Sequence, residues 1–255
     1  MWRYIDSGAG SAQWNMAVDE ALLLSFEEKD LPILRLYRWE EPSLSFGRFS
    51  NPRETLDWEW VQEEELSCVR RMTGGGILVH GGDLSYTLVL SRHFVKERGV
   101  RESYRELCAF LIRLYHGFGL EVSFAYDLQV APSHAAACLA GTEAYDIMID
   151  GRKIGGNAQR YTHRALLQHG SIPLRIDRRY FETFFREPSG LNEAATLEEA
   201  GVGMRELQEN LLESFGASFD TSFQSDGLSD EEFALAQKLY REKYAKESWS
   251  VDAKS

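Results

Sequence analysis

No apolar run in these 255 residues approaches the roughly 20 residues that a membrane-spanning helix requires, so no membrane partner is expected. The opening stretch Met1-Trp2-Arg3-Tyr4-Ile5-Asp6 lacks the apolar core of a secretory signal. Cysteine is scarce: there are three, odd in number and without repeating spacing, which argues against a disulfide scaffold and for a reduced, cytoplasmic setting. Positive charge is in deficit. Lys and Arg total 28 against 40 Asp and Glu, a net of −12, so a nucleic-acid partner is not expected. Such a surface also repels acidic proteins unless a local basic patch meets them. Arg152, Lys153, Arg160 and Arg164 fall close enough in sequence to form one.

Several chemical signatures are missing as well. No Gly-Lys-Ser/Thr follows the glycine run, which excludes a phosphate loop of the Walker type. The Gly-x-Gly-x-x-Gly dinucleotide spacing and the Gly-x-Ser-x-Gly nucleophile elbow are absent. The six histidines form no pair at helical or zinc-ligand spacing, so no metal is expected.

What is present is a run of Arg70-Arg71-Met72-Thr73-Gly74-Gly75-Gly76-Ile77-Leu78-Val79-His80. Three glycines bare of Cβ let main-chain N–H groups approach a carbonyl, phosphate or carboxylate, beside two arginines. A glycine cluster by itself reads as a turn; the arginine pair and His80 set this one apart. A second glycine cluster follows Lys153, in Ile154-Gly155-Gly156-Asn157-Ala158-Gln159. Lys153 lies just past an Asp150-Gly151 turn and is either aimed by rigid backbone or an ordinary solvated hairpin lysine. His169 and Gly170 end a third strand-like segment near glycine.

Among the cysteines, Cys68 and Cys108 sit in apolar patterns typical of inert core thiols. Cys138 is surrounded by small residues with no apolar periodicity, with His134 four residues before it as a weaker base. A reactive thiolate there needs a nearby positive charge, which Lys153 supplies if the fold brings the two together.

Periodicity predicts a helix over 15–24 capped by Ser11, with Met16, Leu23 and Leu24 on one face. Strands are predicted over 33–39, 43–47, 67–70, 77–79 and 84–90, and a helix end over 61–66. A helix over 104–118, a hairpin over 146–154 and a strand over 165–174 follow. From about 178 the chain reads as helical, over 180–185, 204–215 and 230–244. Strands in consecutive groups with helices inserted and then clustered indicate an α+β fold with a mixed, mainly antiparallel sheet flanked by helices. Residues 1–250 are read as a single domain and 251–255 as a frayed tail.

The three glycine-bearing segments, taken in order, resemble the lipoate–protein ligase and octanoyltransferase family. Asn15-Met16-Ala17-Val18-Asp19-Glu20, Phe46-Gly47-Arg48, Gln168-His169-Gly170-Ser171-Ile172 and Leu239-Tyr240-Arg241-Glu242-Lys243-Tyr244…Trp249 extend the resemblance over roughly residues 1–250. It implies the fold shared with biotin–protein ligases, and transfer of an octanoyl or lipoyl group to a lysine of a lipoyl-type domain. It implies that Arg70, Arg71, Thr73, Gly74, Gly75, Gly76 and His80, with Gly155, Gly156, Asn157, Ala158, His169 and Gly170, bind substrate, Lys153 contacting the acyl carbonyl. Ile77, Val79 and Ile154 are expected walls of the acyl pocket. A biotin ligase is disfavoured because the glycine loop lacks Gly-Arg-Gly-x-x-Gly.

Within the family, the Gly-Arg-Asn-Asp of the ligases is replaced here by Glu143-Ala144-Tyr145-Asp146. Cys138 stands thirteen residues before Gly151, as in the cysteine-dependent octanoyltransferases, whose pattern Tyr145 also resembles. Gly47-Arg48-Phe49-Ser50-Asn51-Pro52 and Gly156-Asn157-Ala158 look more like the ligases. The resemblance therefore implies a Cys138 acyl-enzyme and no cofactor. The donor would be acyl carrier protein or an octanoylated lipoyl domain. The acceptor would be the lipoyl domain of glycine cleavage H protein or of a 2-oxoacid dehydrogenase E2. The alternatives are an ATP- and Mg-dependent lipoate ligase and a non-catalytic binding protein.

Overall fold

The computed structural model describes residues 1–130 and 144–253. Its first half contains β1 (Trp2–Gly10), α1 (Ala12–Ser25), β2 (Ile33–Trp39), β3 (Ser43–Phe46), α2 (Pro52–Thr55), α3 (Trp58–Glu63), β4 (Ser67–Arg70), β5 (Ile77–His80), β6 (Asp83–Ser91), α4 (His93–Arg98) and α5 (Val100–Gly117). The second half contains β7 (Val122–Phe124), β8 (Ile147–Ile149), β9 (Arg152–Lys153), β10 (Gly156–Tyr161), β11 (Ala165–Pro173), α6 (Arg178–Glu182), α7 (Met204–Ser218), β12 (Phe223–Ser225), α8 (Asp230–Leu239) and α9 (Glu247–Ser250), with a π-helical turn at Tyr240–Tyr244.

The main sheet runs β10-β11-β6-β2-β1-β12. Its first three junctions are antiparallel and its last two parallel, as the expected mixed sheet requires. Side chains alternate between its faces. Leu34, Leu36, Leu84, Tyr86 and Leu88 pack against Phe110 and Leu114 of α5 and Leu211 and Phe215 of α7. Ile33, Val89 and Leu167 pack on the other side against Val18 and Leu22 of α1 and Ala236 of α8. Helices thus cover both faces, and β6 and β11 are buried along almost their whole length. A second sheet, β4-β3-β5, carries the glycine run as its β4–β5 connection.

Local signals behave as expected at several points. The Ser11 hydroxyl accepts from the Trp14 N–H and starts α1. Asp150 and Gly151 both have positive φ, +49° and +75°, and turn β8 into β9. Other readings are corrected. Leu24 is exposed; the buried side of α1 instead includes Asn15 and Asp19. β1, β10 and β12 were not foreseen, because each is rich in polar or small residues and is held by strand pairing. The tail does not fray at 251: Val251 is buried and its carbonyl accepts from Arg70.

Candidate active site

A narrow cleft lies between the β4–β5 loop, α1 and the β10–β11 edge. Its apolar walls are Met16, Tyr37, Trp39 and Leu78. Ile77, Val79 and Ile154, expected as walls, pack into core clusters instead. On β5 the expectation was one residue out of register, and in a strand a shift of one residue exchanges faces.

The two arginines at the loop part company. Arg70 is fully buried, and its guanidinium donates to the main-chain carbonyls of Gly47, Arg48, Ser50, Trp249 and Val251. It ties the C-terminal segment to the 47–50 loop and does not line the cleft. Arg71 does line it. Its Nη1 donates to the Ser45 carbonyl and hydroxyl, both at 2.7 Å, and its Nη2 to the carbonyls of Gly76 at 2.9 Å and Gly74 at 3.3 Å.

The remaining loop carbonyls are also tied back. Thr73 O accepts from Arg48 N at 2.7 Å, Gly75 O from the Ser50 hydroxyl at 3.1 Å, and Gly76 O from Gly47 N at 3.1 Å. The N–H groups of Thr73, Gly74, Gly75 and Gly76 donate to no group among the described residues. With Gly74 and Gly75 on the cleft wall, this makes a set of main-chain donors available to an acyl oxygen.

Two buried Asp–His pairs reach the cleft, His80 and His169 on its wall and Asp83 and Asp19 behind them. Asp19 on α1 accepts from Arg35 Nη1 at 2.6 Å, from Thr87 Oγ1 at 2.8 Å and from Tyr37 OH at 3.2 Å, and meets His169 Nδ1 at 3.2 Å. His169 Nε2 lies 2.7 Å from the Thr73 hydroxyl. Burial opposes the Asp19 charge, but Arg35, His169 and Thr87 outweigh it and hold the carboxyl below its usual range. Asp83 meets His80 Nδ1 at 3.0 Å and accepts from Ser171 at 2.7 Å and Ser85 at 3.0 Å. His80 Nε2 lies 2.6 Å from the Ser45 hydroxyl, and its ring stacks on Trp39 at 3.7 Å. Burial pushes the His80 imidazole down, Asp83 opposing and the Arg71 charge adding to the fall.

The second glycine cluster is shaped by close approach. A Cβ on Gly155, whose φ is +80°, would lie 2.5 Å from the Ser171 carbonyl oxygen. Asn157, Gly170 and Tyr86 stand abreast on β10, β11 and β6. The Asn157 side chain leans over Gly170 to accept from the Tyr86 hydroxyl at 2.6 Å. Gly156, Asn157, Ala158, His169 and Gly170 all border the cleft. Lys153 is buried, with Nζ 2.7 Å from Asp146 Oδ2, and is not among the residues lining the cleft.

Cys138 and His134 lie outside the described residues. Of the others, burial pushes the Cys68 thiol up to about 12 and the fully buried Cys108 higher still, so neither suits a nucleophile. The basic patch expected from sequence does not assemble as a free surface. Lys153 pairs with Asp146, Arg164 with Glu27 at 3.2 Å, and Arg152 approaches Glu199 at 3.8 Å. No group of three metal-ligating side chains is found among the described residues. Asp19, Arg35, Ser45 and Asp83 escaped the sequence reading. The polar pair Asn15 and Asp19, four residues apart and set among Met16, Val18 and Leu22, was the signal for the first.

The family model described as "Lipoyl protein ligase A/B catalytic domain" matches residues 11–219. The chain is 32% identical to octanoyltransferase LipM of Kyrpidia tusciae over 98% of each chain. It is 31% identical to octanoyltransferase LipM of Bacillus subtilis, covering 98% of this chain and 97% of that one. Its structure superposes on a crystal structure of lipoate-protein ligase A bound with ATP at a TM-score of 0.85, with 25% identity over 99% of each chain.

Proposed function

Because the chain belongs to the lipoyl protein ligase A/B catalytic-domain family, we propose that it is an octanoyltransferase of protein lipoylation, moving an octanoyl group from a carrier-protein thioester to a lysine of a lipoyl-type domain. The observation that carries this reading to the site is the glycine loop. Its carbonyls are tied back, its amides are unengaged, and it borders an apolar cleft. Each CH₂ of an acyl chain buried there contributes roughly 0.8 kcal/mol.

In this reading the Cys138 thiol gives up its proton, its sulfur attacks the thioester carbonyl, and the carrier sulfur leaves and takes up that proton as a thiol. The acceptor amine then attacks the Cys138 thioester, the amide forms and the Cys138 thiol is regenerated. Thioester to amide is downhill, so neither ATP nor Mg²⁺ is needed. The loop amides stabilise the oxyanion; Lys153, which pairs with Asp146 outside the cleft lining, is assigned to the same carbonyl on the family resemblance of its segment. Arg71, Gly74, Gly75, His80, Gly156, Asn157, Ala158, His169 and Gly170 line the proposed site, Thr73, Gly76 and Gly155 are assigned to it as their neighbours in the two glycine clusters, and Arg70 supports it from behind. Support for Cys138 is its register before Gly151 and the unsuitability of Cys68 and Cys108.

The donor is assigned as acyl carrier protein or an octanoylated lipoyl domain, and the acceptor as the lipoyl domain of an H protein or an E2 subunit. The reaction is placed in the cytoplasm, on a single catalytic domain spanning 1–250. Among the described residues no helix is long and apolar enough to cross a membrane.

The test is incubation with octanoyl-carrier protein without ATP. A mass gain of one octanoyl group is expected, lost in Cys138→Ala. Full transfer by that variant overturns the Cys138 role; turnover only with ATP and free lipoate overturns the transferase reading in favour of the ligase.

A further inference from the structure

The glycine loop is anchored from two sides, and each anchor ends on a buried Asp–His pair. On one side Asp19 accepts from His169 Nδ1–H, which leaves His169 Nε2 as the acceptor for the Thr73 hydroxyl at 2.7 Å. Thr73 opens the loop. Arg35 and Thr87 hold the Asp19 carboxylate from behind.

On the other side the order of donors is fixed by chemistry. Arg71 has only donors, so the Ser45 oxygen accepts from its Nη1 at 2.7 Å. The Ser45 hydroxyl proton then goes to His80 Nε2 at 2.6 Å, and His80 Nδ1–H goes to Asp83 at 3.0 Å. The same guanidinium, through Nη2, draws back the carbonyls of Gly74 and Gly76. The chain from Asp83 through His80, Ser45 and Arg71 therefore terminates on the glycine peptides themselves.

Both histidines are at least nine-tenths buried, with both ring nitrogens occupied. Neither has a nitrogen left for a substrate. Buried polar groups are costly unless bonded throughout, and linked hydrogen bonds reinforce one another. What the two networks share is the loop.

Taking the cleft as the acyl site, we propose that Asp19–His169 and Asp83–His80 are positioning residues for octanoyl transfer: the first pair acts through Thr73, the second through Ser45 and Arg71, and together they hold the loop amides where the acyl oxygen becomes an oxyanion. In each half-reaction a thiol or amine adds to the carbonyl carbon and the π pair moves onto that oxygen. The pair returns as the carbon–sulfur bond breaks, the nucleophile's proton leaving with the departing thiol. The amides act only on the oxygen, and the Asp–His pairs only on the amides.

The variants that test this remove one hydroxyl each. In Thr73→Val and Ser45→Ala, kcat for octanoyl transfer from octanoyl-carrier protein falls by about 10², the size of effect expected from a misplacement of roughly 1 Å, while KM stays near wild type. Thr73→Ser restores kcat. Thr73→Val combined with His169→Gln is no slower than the slower single variant, because both lie on one anchor. Thr73→Val combined with Ser45→Ala multiplies the two losses, because they lie on different anchors. The assignment is overturned if Thr73→Val and Ser45→Ala keep wild-type kcat and lose only thermal stability, or if the Thr73–His169 pair multiplies. Should His169→Gln not fold, Thr73→Val, Thr73→Ser and Ser45→Ala decide alone. Wild-type protein that transfers no octanoyl group removes the acyl reading and this proposal together. Wild-type turnover with unaffected hydroxyl variants removes this proposal only.

Discussion

Gly47 and Gly75 touch through their backbones: a Cβ on Gly47 would lie 1.7 Å from the Gly75 carbonyl oxygen and 2.6 Å from its carbonyl carbon. The Gly47 N–H meanwhile donates to Gly76 O at 3.1 Å. The turn after β3 is therefore the back support of the glycine loop, and no side chain fits between them.

Gly47→Ala should displace the loop, because the obstacle is main chain and cannot rotate away. A loss of about 10² in kcat is expected from a shift of roughly 1 Å at the donors. Octanoyl-transfer kinetics on the folded variant check this; wild-type kcat would show that the loop tolerates the displacement.

Asp19→Asn should be among the most destabilising conservative changes. Asp19 and Arg35 are both fully buried and 2.6 Å apart, and the variant leaves the guanidinium without its counter-charge. Removing one partner of a buried pair costs about 3–5 kcal/mol. Urea unfolding measures it, and a loss comparable to an exposed ion pair would contradict the assigned burial.

Stability should decline on the acid side in two stages. His80 has a folded value below 6.5, held down chiefly by burial, so the unfolded chain takes up this proton first. Stability is full above about 6.5 and falls as pH drops below it. Asp19 and Asp83 have folded values below 3.8, so the stability they contribute is lost as pH falls through and below that value. Urea midpoints at pH 7.5 and pH 5 test the first stage. His80→Gln should show a smaller decline between them, and equal slopes would remove His80 as its source.

Much of the architecture was legible from periodicity. The strands at 33–39, 84–90 and 165–174 and the helix at 104–118 stand where alternation and helical spacing put them, since packing against a core imposes those periods. The strands β1, β10 and β12 were not legible, because their pairing is set by neighbours distant in sequence. At the site, the residues adjoining glycine were found and their partners were not. Asp83, three residues from His80, was within local reach, but Asp19 lies 150 residues from His169 and Thr73 lies 96 from it. No local pattern encodes such pairings.

By itself the sequence determined the family, the mixed sheet with flanking helices and the position of the glycine loop, since each rests on local composition, period or motif order. Only the tertiary structure decided what the two adjacent arginines do. Arg70 and Arg71 are equal in chemistry and next to each other in the chain, yet one caps five carbonyls behind the site and the other lines the cleft. Strand geometry sends successive side chains to opposite faces, and what waits on each face is assembled from segments remote in sequence.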